Sequence, residues 1–362
     1  MTTKSSINQG LKIVSACFSQ AEQDNGNILI RFEYGIGLKL ALVGASTFVE
    51  VKCKYDCKSD SPWLSVDFAS LKKGISSIEG SFTIEQEGDN LIIKSTRSKF
   101  LIPCFEELEV SPGNEECEKF NTFTTNDLLE SMRPVSLFCK EDSPYETMRG
   151  IFFQDEYTLV ANPSRIVFYE KNPFGINIFC YSVLAKVLAV LDGVLEIGFS
   201  KNFVHLRSES FKIIMPINNT IKKPIDSTKL KEFLPEISFP IDDSSVIELH
   251  KMLPNIKSGG KDVVRDKVNI HGRVGAGVII EGQYGKVGSN YAFEISDTCE
   301  KDFSIMVDIG NFNTAISALA DAVFGKGETE NCEIGFSISG KVPSAAIVLG
   351  KLKQIIAAEY VI

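Results

Sequence analysis

Thr124-Thr-Asn-Asp-Leu-Leu-Glu-Ser-Met132 is the stretch on which the fold turns. A hydroxyl or amide at its start can accept from the free N–H groups of a first helical turn. Leu128, Leu129 and Met132 then follow at the three- and four-residue spacing of one helix face. The same grammar begins near Ser5, where Ile7, Leu11, Val14, Cys17 and Phe18 form the apolar stripe. It begins again at Asp242-Asp-Ser-Ser245, followed by Val246, Leu249, Met252 and Leu253. The three starts lie about 120 residues apart, and self-similarity at a fixed period marks a repeated structural unit.

Working outward, each of these helices is followed by strands and then by a second amphipathic helix, near Asp67, Ser182 and Asp308. Their stripes are Phe68, Leu71 and Ile75; Leu184, Val187, Leu188 and Leu191; and Phe312, Ile316 and Leu319. An alternating pair of strands comes next each time: Ser81–Gln86 with Leu91–Lys94, Leu195–Phe199 with Val204–Arg207, and Glu333–Ile338 with Ser344–Leu349. Alternation of period two beside Gly/Asn turns predicts antiparallel hairpins. The sequence thus predicts an α+β fold of three repeated modules, each with two helices on one face of an antiparallel sheet. The modules are 1–118, 119–236 and 237–362, and Asn218–Pro235 is the connection into the third.

Composition bounds the function. Of 362 residues, 44% are hydrophobic and 23% charged, the balance of a globular chain and not of a disordered, coiled-coil or collagen-like one. Lys+Arg number 38 against Asp+Glu 47, a net charge of -9, which disfavours a surface coated in basic residues but says nothing about a local basic lining. No apolar run approaches the length of a membrane span, and the polar start Met1-Thr-Thr-Lys-Ser-Ser6 leads into no signal-peptide core, so a soluble cytoplasmic protein without a membrane partner is expected. Nine scattered cysteines fit buried thiols in a reducing compartment.

Catalytic chemistry is hard to find. Cys53 and Cys57 could share a helical face, yet no second pair or nearby His completes a metal site. His205, His250 and His271 are far apart, and no phosphate-binding loop or His-Glu-x-x-His stretch occurs. Gly272-Arg-Val-Gly-Ala-Gly277 sits among strands and reads as a hairpin turn. Asp242-Asp243 suits helix capping better than acid/base work. A repeated fold without a repeated polar constellation argues against an enzyme, and no cofactor or metal is expected.

Several stretches resemble one family. Val66-Asp-Phe-Ala-Ser-Leu-Lys-Lys-Gly-Ile75, continued by Gly88-Asp-Asn-Leu-Ile-Ile-Lys-Ser-Thr-Arg-Ser-Lys-Phe100, is similar to the strand, helix, hairpin and SGRSRF-like strand of the bacterial DNA polymerase III beta subunit, the processivity sliding clamp. Tyr145-Glu-Thr-Met-Arg-Gly-Ile-Phe-Phe153 with Leu159-Val-Ala-Asn-Pro-Ser-Arg-Ile-Val167 resembles that family's R-Y-x-L-x-G-V-x-F and L-x-A-T-D-G-H-R-L stretches. Val190-Leu-Asp-Gly193 and Phe233-Leu-Pro235 fall where the family has counterparts. The order covers nearly the whole chain. The chain departs from the family at Ala161-Asn-Pro-Ser-Arg165, which replaces Thr-Asp-Gly-His-Arg, and at Gln354–Ile362, which lacks the usual Met-Pro-Met-Arg ending. Such divergence is what a phage-encoded or otherwise outlying clamp would show.

The resemblance implies a homodimer closed head to tail into a ring, with twelve helices lining a hole that double-stranded DNA threads. Holding DNA without reading its sequence calls for diffuse positive charge toward the phosphates. The candidates are Lys12, Lys72, Lys73, Arg133, Lys140, Lys186, Lys251 and Lys257; any helix carries solvated lysines, and only the ring gives these a common destination. The acidic excess then belongs on the exterior. The resemblance also implies a cleft that receives a peptide from DNA polymerase and clamp loader. By position its walls are Met148, Ala161, Pro163, Ser164, Arg165, Ile166, Thr228 and Phe233, with Tyr360, Val361 and Ile362 as a lip; Met148, Ile166 and Phe233 equally suit a plain core. Two other readings stay open: a non-clamp binding or structural protein that reuses the module, and an enzyme with a site built from distant loops around Cys53, Asp56 and Cys57.

Overall fold

The computed structural model describes residues 3–18, 26–44, 47–107, 116–162, 164–221, 235–255, 267–284, 289–326, 332–338, 343–349 and 352–360. Six α-helices and twenty-three strands lie among them. The helices are α1 (Thr3–Ala16), α2 (Phe68–Ser77), α3 (Thr125–Ser136), α4 (Val183–Val190), α5 (Asp243–Met252) and α6 (Ile309–Lys326). All six expected helices are present, and the starts of α2, α3, α5 and α6 are chemically marked, whereas Ser182 before α4 makes no side-chain cap bond. Asp67 Oδ1 accepts from the Ser70 N–H at 2.7 Å, Asp242 Oδ1 from Ser245 at 2.7 Å, Asp308 Oδ1 from Asn311 at 2.8 Å and Thr124 Oγ1 from Asp127 at 3.1 Å. Each satisfies an N–H that has no partner within its own helix.

The chain divides into two units, residues 1–130 with 178–220, and residues 131–177 with 221–362. In the first, one antiparallel sheet carries β1 (Asn27–Glu33), β2 (Gly37–Val43), β3 (Phe48–Cys53), β4 (Trp63–Asp67), β5 (Thr83–Glu87), β6 (Asn90–Lys94), β7 (Lys99–Glu107), β8 (Phe120–Thr124), β13 (Val194–Phe199), β14 (Phe203–Arg207) and β15 (Phe211–Pro216). Their spatial order is β5-β6-β7-β4-β1-β2-β3-β15-β14-β13-β8. A further short strand, β12 (Ile178–Tyr181), touches this unit's sheet through a bridge from Cys180 to Ile217. Helices α1, α2 and α4 lie together, with Ile7, Val14, Leu71, Ile75, Val187 and Leu188 wholly buried.

The second unit has β9 (Gly150–Gln154), β10 (Tyr157–Asn162), β11 (Arg165–Tyr169), β16 (Ile237–Pro240), β17 (Lys267–Arg273), β18 (Gly277–Tyr284), β19 (Ser289–Ser296), β20 (Phe303–Asp308), β21 (Cys332–Ser337), β22 (Ser344–Leu349) and β23 (Leu352–Tyr360). Strand β23 is its hub: one part pairs β11 and β22, and its end pairs β20. The order β4-β1-β2-β3 in the first unit recurs as β20-β17-β18-β19 in the second. Even the turn chemistry recurs. Tyr34-Gly35-Ile36-Gly37 and Val274-Gly275-Ala276-Gly277 close equivalent hairpins, with Gly37 at φ 126° and Gly277 at φ 82°. A Cβ at Gly37 would stand 2.4 Å from the Cys53 carbonyl oxygen, and one at Gly277 2.1 Å from that of Ser296, so neither position accepts a side chain. The glycine-rich stretch at 272–277 is therefore the hairpin its setting suggested.

One helix runs beyond the stretch quoted for it, and one local reading changes. Helix α3 runs past Met132 through Pro134 to Ser136, and the proline leaves the carbonyl four residues before it without its helical donor. Cys53 ends strand β3 and Cys57 follows in an irregular segment, so no helix presents them together. Burial pushes the Cys53 thiol up to about 12, as it does those of Cys17 and Cys332, and none of the nine cysteines is joined in a disulfide among the described residues.

Candidate functional site

The first unit gathers lysines. On α2, Phe68, Leu71 and Ile75 turn into the core while Lys72 and Lys73 are exposed, as a 3.6-residue period requires. Lys12 on α1 and Lys186 on α4 are likewise exposed. Lys12 and Lys72 meet at one open groove of about 800 Å³ between these helices. Lys4, which sequence reasoning missed, stands at the same groove and donates to the Ile78 carbonyl at the end of α2. Asn8, Gln9 and Ser76 supply its neutral donors; Gln9 Nε2 donates to the Val190 carbonyl at 2.6 Å, tying α1 to the end of α4. No carboxylate lines this groove among the described residues. Together α1, α2 and α4 carry five lysines and neither Asp nor Glu. Three ammonium groups beside neutral polar side chains suit a run of phosphates.

The remaining basic candidates lie elsewhere. Arg133 is exposed in the last turn of α3 and Lys251 in the last turn of α5, where each complements the helix dipole. Lys257 lies outside the described residues.

The second unit holds a smaller cleft, about 270 Å³, walled by Leu137 and Phe138 after α3, by Met148, by β10 and β11, and by the start of α6. Three expected pocket residues, Met148, Ala161 and Arg165, line it. Lys140, expected to face DNA, lines it as well. Ser164 is half-buried at the tight turn from β10 to β11: its carbonyl accepts from Ala357 N–H at 2.8 Å, and its hydroxyl meets Asn162 Oδ1 at 3.0 Å. Ile166 is half-buried on the opposite face of β11 from Arg165, as strand alternation dictates. Tyr360 ends β23 in register with Ile305, its side chain outside the described residues. Pro163, Thr228, Phe233, Val361 and Ile362 also lie outside them.

Arg165 is the chemical centre of this cleft. It is only 8% exposed, and its guanidinium stacks 3.8 Å from the centre of the Phe138 ring. Nη2 donates to Gln354 Oε1 at 3.1 Å, while Gln354 Nε2 donates to the Ala315 carbonyl of α6 at 3.4 Å, which fixes the amide between strand and helix. Burial pulls the Arg165 pKa down to about 9, with the charge of Asp308 opposing the shift; the side chain stays cationic at neutral pH. In the sequence, Arg165 was placed in the cleft only by the family resemblance; on β11 it shares a face with the buried Val167. Phe138 and Asn311, which line the cleft, and Gln354, which holds Arg165, had no sequence signal, because each is brought there only by tertiary packing.

The histidines have serine partners: His205 Nε2 meets Ser200 Oγ at 3.0 Å, His250 Nδ1 meets Ser317 Oγ at 3.2 Å and His271 Nδ1 meets Ser304 Oγ at 2.8 Å. Among the described residues no three His, Cys, Asp or Glu side chains gather to hold a metal, and no helix is long and apolar enough to cross a membrane.

Antiparallel sheets carrying six helices in this order are the α+β sliding-clamp fold. The chain is similar over its full length to the DNA polymerase III beta subunit of Thermotoga maritima, at TM-score 0.78 and 14% identity, covering 100% of this chain and 99% of that one. It is similar to the beta chain of DNA polymerase III from Streptococcus pneumoniae TIGR4 at TM-score 0.78 and 14% identity, covering 99% and 98%. To the DNA polymerase sliding clamp of Bacillus subtilis the TM-score is 0.76 at 13% identity, again covering 99% and 98%. These structural neighbours are consistently DNA polymerase III beta subunits or sliding clamps, and their low identity marks the chain as divergent. No protein-family model matches the sequence, and no curated protein matches it.

Proposed function

We propose that this chain is a DNA polymerase processivity factor, a non-enzymatic clamp that encircles double-stranded DNA as a homodimeric ring and tethers the polymerase through a peptide-binding cleft. The observation that carries the reading is the charge segregation in the first unit. In a chain of net charge -9, its three complete helices carry five lysines and no carboxylate. Such a surface attracts phosphates without reading sequence and leaves the acidic excess to the rest of the molecule, which discourages adhesion to DNA from outside.

The three-module division, 1–118, 119–236 and 237–362, belongs to this proposal and is supported by the repeated strand order. Homodimerisation is supported by an apolar stripe on β7, where Leu101 is 53% and Phe105 69% exposed on one face beside Pro103. Aromatic and aliphatic side chains so displayed favour a partner surface. The cleft around Arg165 is the seat for polymerase and clamp loader, and the protein works in the cytoplasm of a bacterial or phage-infected cell with no cofactor. Retention on nicked circular DNA after loading tests the reading: a clamp stays on the circle and slides off once the circle is cut, whereas an ordinary DNA-binding protein leaves both alike.

A further inference from the structure

Resting on the reading of the cleft as a partner site, we infer that it selects a peptide segment bearing a side-chain carboxylate next to an apolar residue, with Arg165 as the carboxylate's anchor. A guanidinium has five N–H donors. Among the described residues Arg165 uses one, to Gln354, and its buried Nε has no acceptor. The Phe138 ring covers one face of the guanidinium and the Gln354 amide fixes its edge, so the group is held in place rather than free to reach solvent. A buried cation with donors left over is costly unless an acceptor arrives.

The surroundings define that acceptor. Asp308 does not fill the role: it forms no ion pair with Arg165, and its Oδ1 is taken by the N–H of Asn311 as the cap of α6. Counting Arg165, Lys140 and Asp308, the cleft carries one net positive charge, which one carboxylate neutralises. The first two turns of the 18-residue helix α6 line the cleft through Gly310, Asn311 and Thr314, and the helix start adds its dipole to the same preference. Leu137, Met148 and Val160 make the other walls, and a volume of about 270 Å³ suits a few side chains rather than a nucleotide. The apolar share of the lining favours a peptide over a bare phosphate.

The test uses the full chain with 13C-methyl methionine, Met148 being the reporter inside the cleft. The probes are Ac-Leu-Glu-Leu-NH2, Ac-Leu-Gln-Leu-NH2 and inorganic phosphate. The Glu peptide should move the Met148 signal saturably, and the Gln peptide should bind roughly tenfold or more weakly, the loss expected for a charged hydrogen bond. Arg165→Gln should bring the two peptides to equal, weak binding; the comparison in the unaltered chain decides the matter should that variant fold poorly. Equal binding of both peptides by the unaltered chain, or a phosphate response as strong as that of the Glu peptide, would overturn the assignment. Retention on circular DNA is a separate readout, so failure here leaves the clamp reading intact.

Discussion

The guanidinium of Arg165 lies over the ring of Phe138, 3.8 Å from its centre, and this pair closes the back of the cleft in the second unit. Strand β11 supplies the arginine and the segment after α3 supplies the ring. A cation so buried is worth little to folding, because desolvation offsets what its contacts return. Its pKa, drawn down to about 9, lies below the unfolded value, so the unfolded chain binds more protons between the two. Stability from this group is therefore lowest below pH 9 and rises as pH increases through that window. Arg165→Met, which keeps length and removes charge, should melt within a few degrees of the parent, or above it, at pH 7 while losing the carboxylate preference. A large drop in melting temperature would assign Arg165 to the scaffold instead.

Lys72 and Lys73 face away from the core of α2, so reversing them should leave the fold unchanged. Each lost phosphate contact lowers the slope of log affinity against log salt by about 0.9 on duplex DNA. K72E/K73E should reduce that slope by roughly one to two and weaken retention most at low salt. A slope equal to the parent's would remove these residues from the DNA-facing surface.

Phe105, 69% exposed on β7, is apolar where solvent alone would favour a polar side chain. Phe105→Arg should shift the chain toward half the parent's mass in light scattering, with unchanged circular dichroism. A variant of parental mass would place the contact between copies elsewhere.

How much of this was legible beforehand depends on range. Helix existence was local: Asp67, Thr124, Asp242 and Asp308 announce the caps, and among the described side chains the stripes after them are buried or half-buried as spaced. The Cys53–Cys57 reading failed because spacing alone does not distinguish a helix from a strand followed by a loop. The cleft was half legible. Arg165 and Met148 sit on recognisable stretches, but Gln354 on β23 and Phe138 after α3 reach Arg165, and Asn311 on α6 reaches the same cleft, only through tertiary packing, and no window of sequence contains all four. Lys4 was missed because it precedes the apolar stripe of α1, outside the repeat that drew attention.

Asp242 offers a pH test of the repeated cap. Hydrogen bonds from Ser244 and Ser245 hold its carboxyl below its ordinary value of 3.8. A depressed carboxylate contributes stability above the unfolded pKa and loses it as pH falls through the folded one. Asp242→Asn keeps a capping oxygen without the charge. It should melt close to the parent at pH 7 and fall less steeply below pH 4; identical acid profiles would show the cap to be energetically silent.

The central claim is a two-chain ring with a hole wide enough for duplex DNA. Negative-stain images of the full chain, taken on the peak whose light-scattering mass is measured, test it most directly. The account predicts twice the mass of one chain and annular particles with a stain-filled centre. Monomers, or dimers without a central hole, would contradict it.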